Sequence, residues 1–109
     1  MTFGFPAYYT EDYFSSAETI ADLHESMLDA LHELGWIIKK QSRTHVTATT
    51  PFNAFSWGEK IDIQLFPDLM VTITSKCSLV TQCVDWGKNR ANVRMLLKTL
   101  DEVLEFGSE

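Results

Sequence analysis

Glu59-Lys-Ile-Asp-Ile-Gln-Leu-Phe-Pro-Asp-Leu-Met-Val-Thr-Ile-Thr-Ser-Lys76 alternates apolar and polar residues twice, with one break at Pro67-Asp68. In the first half, Ile61, Ile63 and Leu65 share one face, and Lys60, Asp62 and Gln64 share the other. A period of two is that of an extended strand, whose successive side chains leave opposite faces. Pro67-Asp68 has the chemistry of a tight turn, because proline presets φ and aspartate bonds its own backbone. Beyond it, Leu69 to Lys76 places Val71 and Ile73 inward and Thr72, Thr74 and Lys76 outward. Two strands joined this way form an antiparallel hairpin. Its one apolar face and one threonine-rich, charged face predict a sheet covered by helices on a single side.

The same period extends toward the N-terminus. Trp36 to Gln41 and His45 to Thr50 read as a second hairpin, with its turn near Ser42 to Thr44. Val46 and Ala48 point to the core there, and His45, Thr47 and Thr49 point outward. Before Trp36 the period changes. Ile20, Leu23, Met27, Ala30, Leu31 and Leu34 recur at three- and four-residue spacing, the stripe of an amphipathic helix. Ser15 with Glu18 fits a capping box at its start, and Gly35 suits its end. Asp22, Glu25, Asp29, His32 and Glu33 form the solvated face. The first fourteen residues are dense in aromatics, and Ala7 to Tyr13 reads as an edge strand, with Pro6 at its start where a missing N–H is tolerated. The alternative is an aromatic arm, residues 1–14, packed across the domain.

Toward the C-terminus, a last helix is expected from Asp85. Val93, Leu96, Leu97, Leu100, Val103 and Leu104 form its stripe, and Gly107 lies just past its end. Arg90, Arg94 and Lys98 line a different face at four-residue spacing. The expected fold is therefore α+β: one domain, residues 1–109, with an antiparallel sheet of four to five strands and two helices on one face, in the order β-α-β-β-β-β-α. That order is similar to one repeat of the TATA-binding-protein-like fold, a likeness of topology alone. The outward sheet face reads as having no stacking aromatics and little positive charge, which argues against a DNA-binding saddle.

The chain has 109 residues, 9 Lys and Arg against 15 Asp and Glu, and a formal net charge of −6. The phosphate backbones of nucleic acids are bound through clustered Lys and Arg, so nucleic acid is not an expected partner. Met1 to Tyr13 has no Lys or Arg and shows no targeting pattern, and no apolar run is long enough to span a bilayer. The expectation is a soluble cytoplasmic protein without a membrane partner. Cys77 and Cys83 lack the spacing of a redox or zinc pair and are expected to be reduced, small hydrophobes. His24 and His32 are two helical turns apart and His45 lies on a strand, which is no metal-ligand spacing. No phosphate loop, nucleophile elbow or His-Glu-x-x-His is present, so neither cofactor nor metal is expected and no catalytic residue is assigned.

Two stretches carry more than patterning needs. Thr50-Pro-Phe-Asn-Ala-Phe-Ser-Trp-Gly-Glu59 places Phe52, Phe55 and Trp57 in a connection that requires only turn residues. These rings either fold back over an end of the core or stay exposed as anchors for a partner. The second stretch runs from Ser75 to Asn92. Within it, Asn89 lies four residues before Val93 and so shares the buried stripe, where its amide must find partners; Ser75, Gln82 and Asp85 are the nearest candidates. One reading is a polar latch between the last strand and the last helix. The other is a small-ligand site built from Gln82, Asp85, Lys88 and Asn89 at the helix N-terminus.

Ser56-Trp-Gly-Glu59, Thr81-Gln82, and Asp85-Trp-Gly-Lys-Asn89 with Asn92 resemble the motifs of a family of small bacterial proteins found in Bacteroidetes-type genomes. The resemblance covers roughly residues 35–104 and implies a shared fold, with no activity attached. The half from Val71 to Val93 is also similar to a second bacterial family, in which a Ser-rich strand is followed by Asp-x-Gly-x-Asn at a helix start. The function expected from the residues is a non-enzymatic protein-interaction module that binds through Phe52, Phe55 and Trp57. One form of it is an acidic inhibitor that blocks a basic surface, as phage-encoded proteins do. The alternative is the polar small-ligand site. Edge strands make a homodimer compatible with this plan.

Overall fold

In the computed structural model, which describes residues 8–51, 58–77 and 88–106, the elements run β1 (Tyr8–Phe14), α1 (Ile20–Leu34), β2 (Ile37–Gln41), β3 (His45–Thr49), β4 (Glu59–Leu65), β5 (Met70–Cys77) and α2 (Lys88–Phe106). The class is α+β, in the expected order. The five strands form one antiparallel sheet in the order β1-β5-β4-β3-β2. Strands β2 to β5 are therefore a meander, and β1 is an edge strand paired with β5.

That order obliges the chain to travel from one edge of the sheet to the other between β1 and β2. Helix α1 makes the crossing. Its 15 residues reach about 22 Å, close to the ~19 Å of four interstrand spacings. It packs over β2 and β4 and against α2, and α2 covers β1 and β5. Between the helices and the sheet lies one core, with Leu23, Met27, Leu31, Ile61, Ile63, Ile73, Leu96 and Leu100 fully buried. The inward set Val46, Ala48, Ile61, Ile63, Leu65, Val71 and Ile73 is the one that alternation predicts.

The helix start differs from the expectation. Thr19, not Ser15, is the N-cap of α1, and its hydroxyl accepts the Asp22 N–H at 3.0 Å. Ser15 is occupied elsewhere: its N–H and hydroxyl both donate to the Leu69 carbonyl, at 3.0 and 2.8 Å. The residue that ends the β1–β5 ladder cannot also open a helix facing away from it. The other end follows sequence logic. Gly35 sits at φ 75°, its N–H donates to the His32 carbonyl, and Trp36 N–H donates to that of Leu31. This 6→1 and 5→2 pair is the Schellman arrangement, in which glycine removes the Cβ penalty of the left-handed conformation.

Inward polar residues of β1 reach α2. Tyr13 donates to Asp101 Oδ1 at 2.6 Å, and Arg94 donates to Glu11 Oε2 at 3.1 Å. Burial first, and then the bond to Asp101, push the Tyr13 phenol up to about 12. Among the described residues, no helix is long and apolar enough to cross a membrane.

Candidate functional site

Thr50 and Glu59 stand at the two ends of the connection between β3 and β4 and clamp its base. Thr50 N–H donates to the Glu59 carbonyl at 3.0 Å, and Glu59 N–H donates to the Thr50 hydroxyl at 2.8 Å. That hydroxyl donates in turn to Glu59 Oε1 at 3.0 Å. Glu59 lies on the inward parity of β4, with Ile61, Ile63 and Leu65, and is 5% exposed. A carboxylate there needs donors, because an uncompensated buried charge is costly. Asn92 Nδ2 supplies a second one, to the same oxygen, at 2.9 Å.

The chain of bonds continues into the sheet. Asn92 Nδ2 also approaches Ser75 Oγ at 3.3 Å, and the Ser75 hydroxyl donates to Asn89 Oδ1 at 2.8 Å. Asn89 and Asn92 are separated by three residues on the first turns of α2 and so face the same way. Thr50, Glu59, Ser75, Asn89 and Asn92 are all buried. Together they tie β3, β4 and β5 to the start of α2. A buried polar network of this kind fixes one arrangement of the elements it joins.

Of the residues singled out in the sequence, Phe52, Phe55, Trp57, Gln82 and Asp85 lie outside the described residues. Lys88 is the first residue of α2. Asn89 is placed as its parity required, buried and bonded to Ser75. Sequence reasoning left Thr50, Glu59 and Asn92 out of this cluster. The signals were present: Glu59 shares the odd-numbered inward set of its strand, and Asn92 follows Asn89 by one helical turn. What the sequence lacks is the pairing that brings Thr50 and Ser75 to them.

The open face of the sheet holds the second feature. Register places Tyr8, Lys76, Lys60, Thr49 and Ile37 side by side in one row across all five strands, in the order β1-β5-β4-β3-β2. A shift of register between Ile38 and Lys40 leaves Lys39 and Lys40 both exposed beside this row. A half-open groove of about 470 Å³ is lined by Lys39, Lys40, Lys60 and Lys76, with Thr47, Thr49 and Asp62. Four of the chain's six lysines thus meet on one face. This corrects the expectation that the outward face carries little positive charge. The lysines are scattered in sequence, and only cross-strand pairing makes them neighbours. Asp62, the carboxylate in the groove, is paired with His45 Nε2.

A second concavity, of about 510 Å³, runs along α1 between Ile20, Ala21, His24, Glu25, Leu28 and Arg43. His24 Nε2 is buried there without a hydrogen-bond partner among the described residues. Also among the described residues, no group of three or more His, Cys, Asp or Glu comes together as a metal site would require.

Comparison with known proteins returned no match, either to a protein-family model or to a curated protein.

Proposed function

We propose that the chain is a non-enzymatic protein-interaction module, docking its partner at the end of the sheet where the β3–β4 connection emerges. One observation carries the reading. Tyr8 and Ile37, 57% and 51% exposed, stand at the two corners of that end on the open face. Neither belongs to the buried core, and aromatic side chains held at a surface are enriched among interface anchors. The connection between Thr50 and Glu59 leaves the sheet at the same end, and its sequence contains Phe52, Phe55 and Trp57.

The test is affinity capture from host lysate with wild type and the triple variant Phe52→Ser, Phe55→Ser, Trp57→Ser, each first checked for native circular dichroism. The captured protein is then purified and its binding measured directly. A partner held by wild type and lost by the triple variant supports the module. Failure of wild type to hold any partner reproducibly refutes it. The polar small-ligand reading around Gln82, Asp85, Lys88 and Asn89 draws less support, because Asn89 has no exposed surface and its Oδ1 already accepts from Ser75.

A further inference from the structure

The structure points to the chemistry of the partner: we propose that the lysine row on the open sheet face binds an extended acidic polypeptide segment with an apolar residue at each end. The inference rests on the interaction-module reading and names what that module takes.

The charge on this face is opposite to that of the chain. The protein as a whole carries −6, yet Lys60 and Lys76 stand directly opposite each other on β4 and β5. Like charges in directly opposed positions disfavour a sheet unless something neutralises them. Nothing described does so. Among the described residues, none of Lys39, Lys40, Lys60 and Lys76 has a carboxylate within ion-pair distance; Asp62 lines the same groove and is hydrogen-bonded to His45. Thr49, beside Lys60, adds a hydroxyl that can donate to a carboxylate.

Geometry selects an extended segment. The row from Tyr8 to Ile37 crosses four interstrand spacings, about 19 Å. An extended chain advances ~3.3 Å per residue, so side chains six residues apart are about 20 Å apart. Apolar residues at those two positions meet Tyr8 and Ile37. Acidic residues at the two intervening positions on the same side fall within reach of the long Lys60 and Lys76 side chains. The face is about 19 Å by ~24 Å, smaller than the ~800 Å² per partner of a standard globular interface but ample for a segment of this length. A polynucleotide fits less well, because it meets the repulsion of an acidic chain and a single exposed aromatic, Tyr8, along the row.

The probe is a fluorescein-labelled seven-residue peptide with Leu first, Phe last, glutamates third and fifth and serines between, read by fluorescence anisotropy at low salt. Wild type is expected to bind it, more weakly as salt rises, and not to bind the same peptide with glutamines for glutamates. The double variant Lys60→Gln, Lys76→Gln is expected to weaken binding about tenfold, and Lys98→Gln on α2 to leave it unchanged. Absence of binding at low salt overturns the inference. So does an equal loss in Lys98→Gln, which reduces the effect to bulk charge. Tighter binding of a single-stranded oligonucleotide, or lysine-dependent self-association in light scattering, also overturns it by naming a different occupant. The two proposals fail separately. A partner lost by the triple aromatic variant but retained by the double lysine variant leaves the module standing and removes the acidic segment.

Discussion

Asn92 Nδ2 donates to Glu59 Oε1 at 2.9 Å in a buried setting, so Asn92→Asp replaces a donor by a second carboxylate at the same separation. At an effective dielectric of ~20, two charges at that distance repel by about 6 kcal/mol. The introduced carboxyl has a cheaper alternative, which is to take up a proton. Holding an aspartic acid protonated at pH 7, against an unfolded value near 3.9, costs about 4 kcal/mol. The smaller figure sets the penalty, and the protonated carboxyl then donates to Glu59 where the amide did. The introduced group's folded pKa is thus raised above its unfolded value. Its stability is complete below about pH 4 and falls as pH rises, by about 1.4 kcal/mol per unit, because the native state binds the extra proton.

Urea unfolding by circular dichroism from pH 4 to 7.5 measures the effect. The gap between wild type and Asn92→Asp is expected to widen from about 1 to about 5 kcal/mol at constant m. Adding Glu59→Gln to the variant restores one donor and one acceptor and should remove most of the pH slope. A gap that does not change with pH would refute the reasoning, since Glu59 would then not be an ionised acceptor in the folded state.

Three further outcomes are expected. Gly35→Ala meets no atom within 4 Å of the added Cβ, so its whole cost is the left-handed φ, about 1 kcal/mol, and Gly35→Asn should cost less; thermal melts distinguish them. Thr19→Ala should lose about 1 kcal/mol by removing the cap of α1, while Glu18→Gln should leave stability unchanged, a pair that separates the observed cap from the Ser15–Glu18 box in urea melts. Ultraviolet titration of the phenols should show Tyr13 ionising near 12, with stability unaffected below pH 10 and declining between 10 and 12. Asp101→Asn should lower that value only in part, because burial is its larger cause.

Local pattern by itself settled the kinds of element and nearly all their limits. The alternation through Ile61, Ile63 and Leu65, the stripe from Ile20 to Leu34 and the glycine at 35 each follow from residues at most four positions apart, and a period is a property of neighbouring residues. Even the burial of Asn89 and Glu59 was legible, because each lies on the apolar side of its own element. Tertiary structure decided what those sides meet. Which of two serines or threonines caps α1 depended on Ser15 being held by Leu69, 54 residues away. The placing of Thr50, Ser75 and Asn92 around Glu59 depended on the strand order β1-β5-β4-β3-β2. The lysine row depended on register: Ile37, Thr49, Lys60 and Lys76 are remote in sequence, and a slip of one residue in any pairing would turn a strand's lysine to the other face. Periodicity reports which face a side chain takes. Long-range pairing alone reports its neighbours, and the lysine row is made of neighbours.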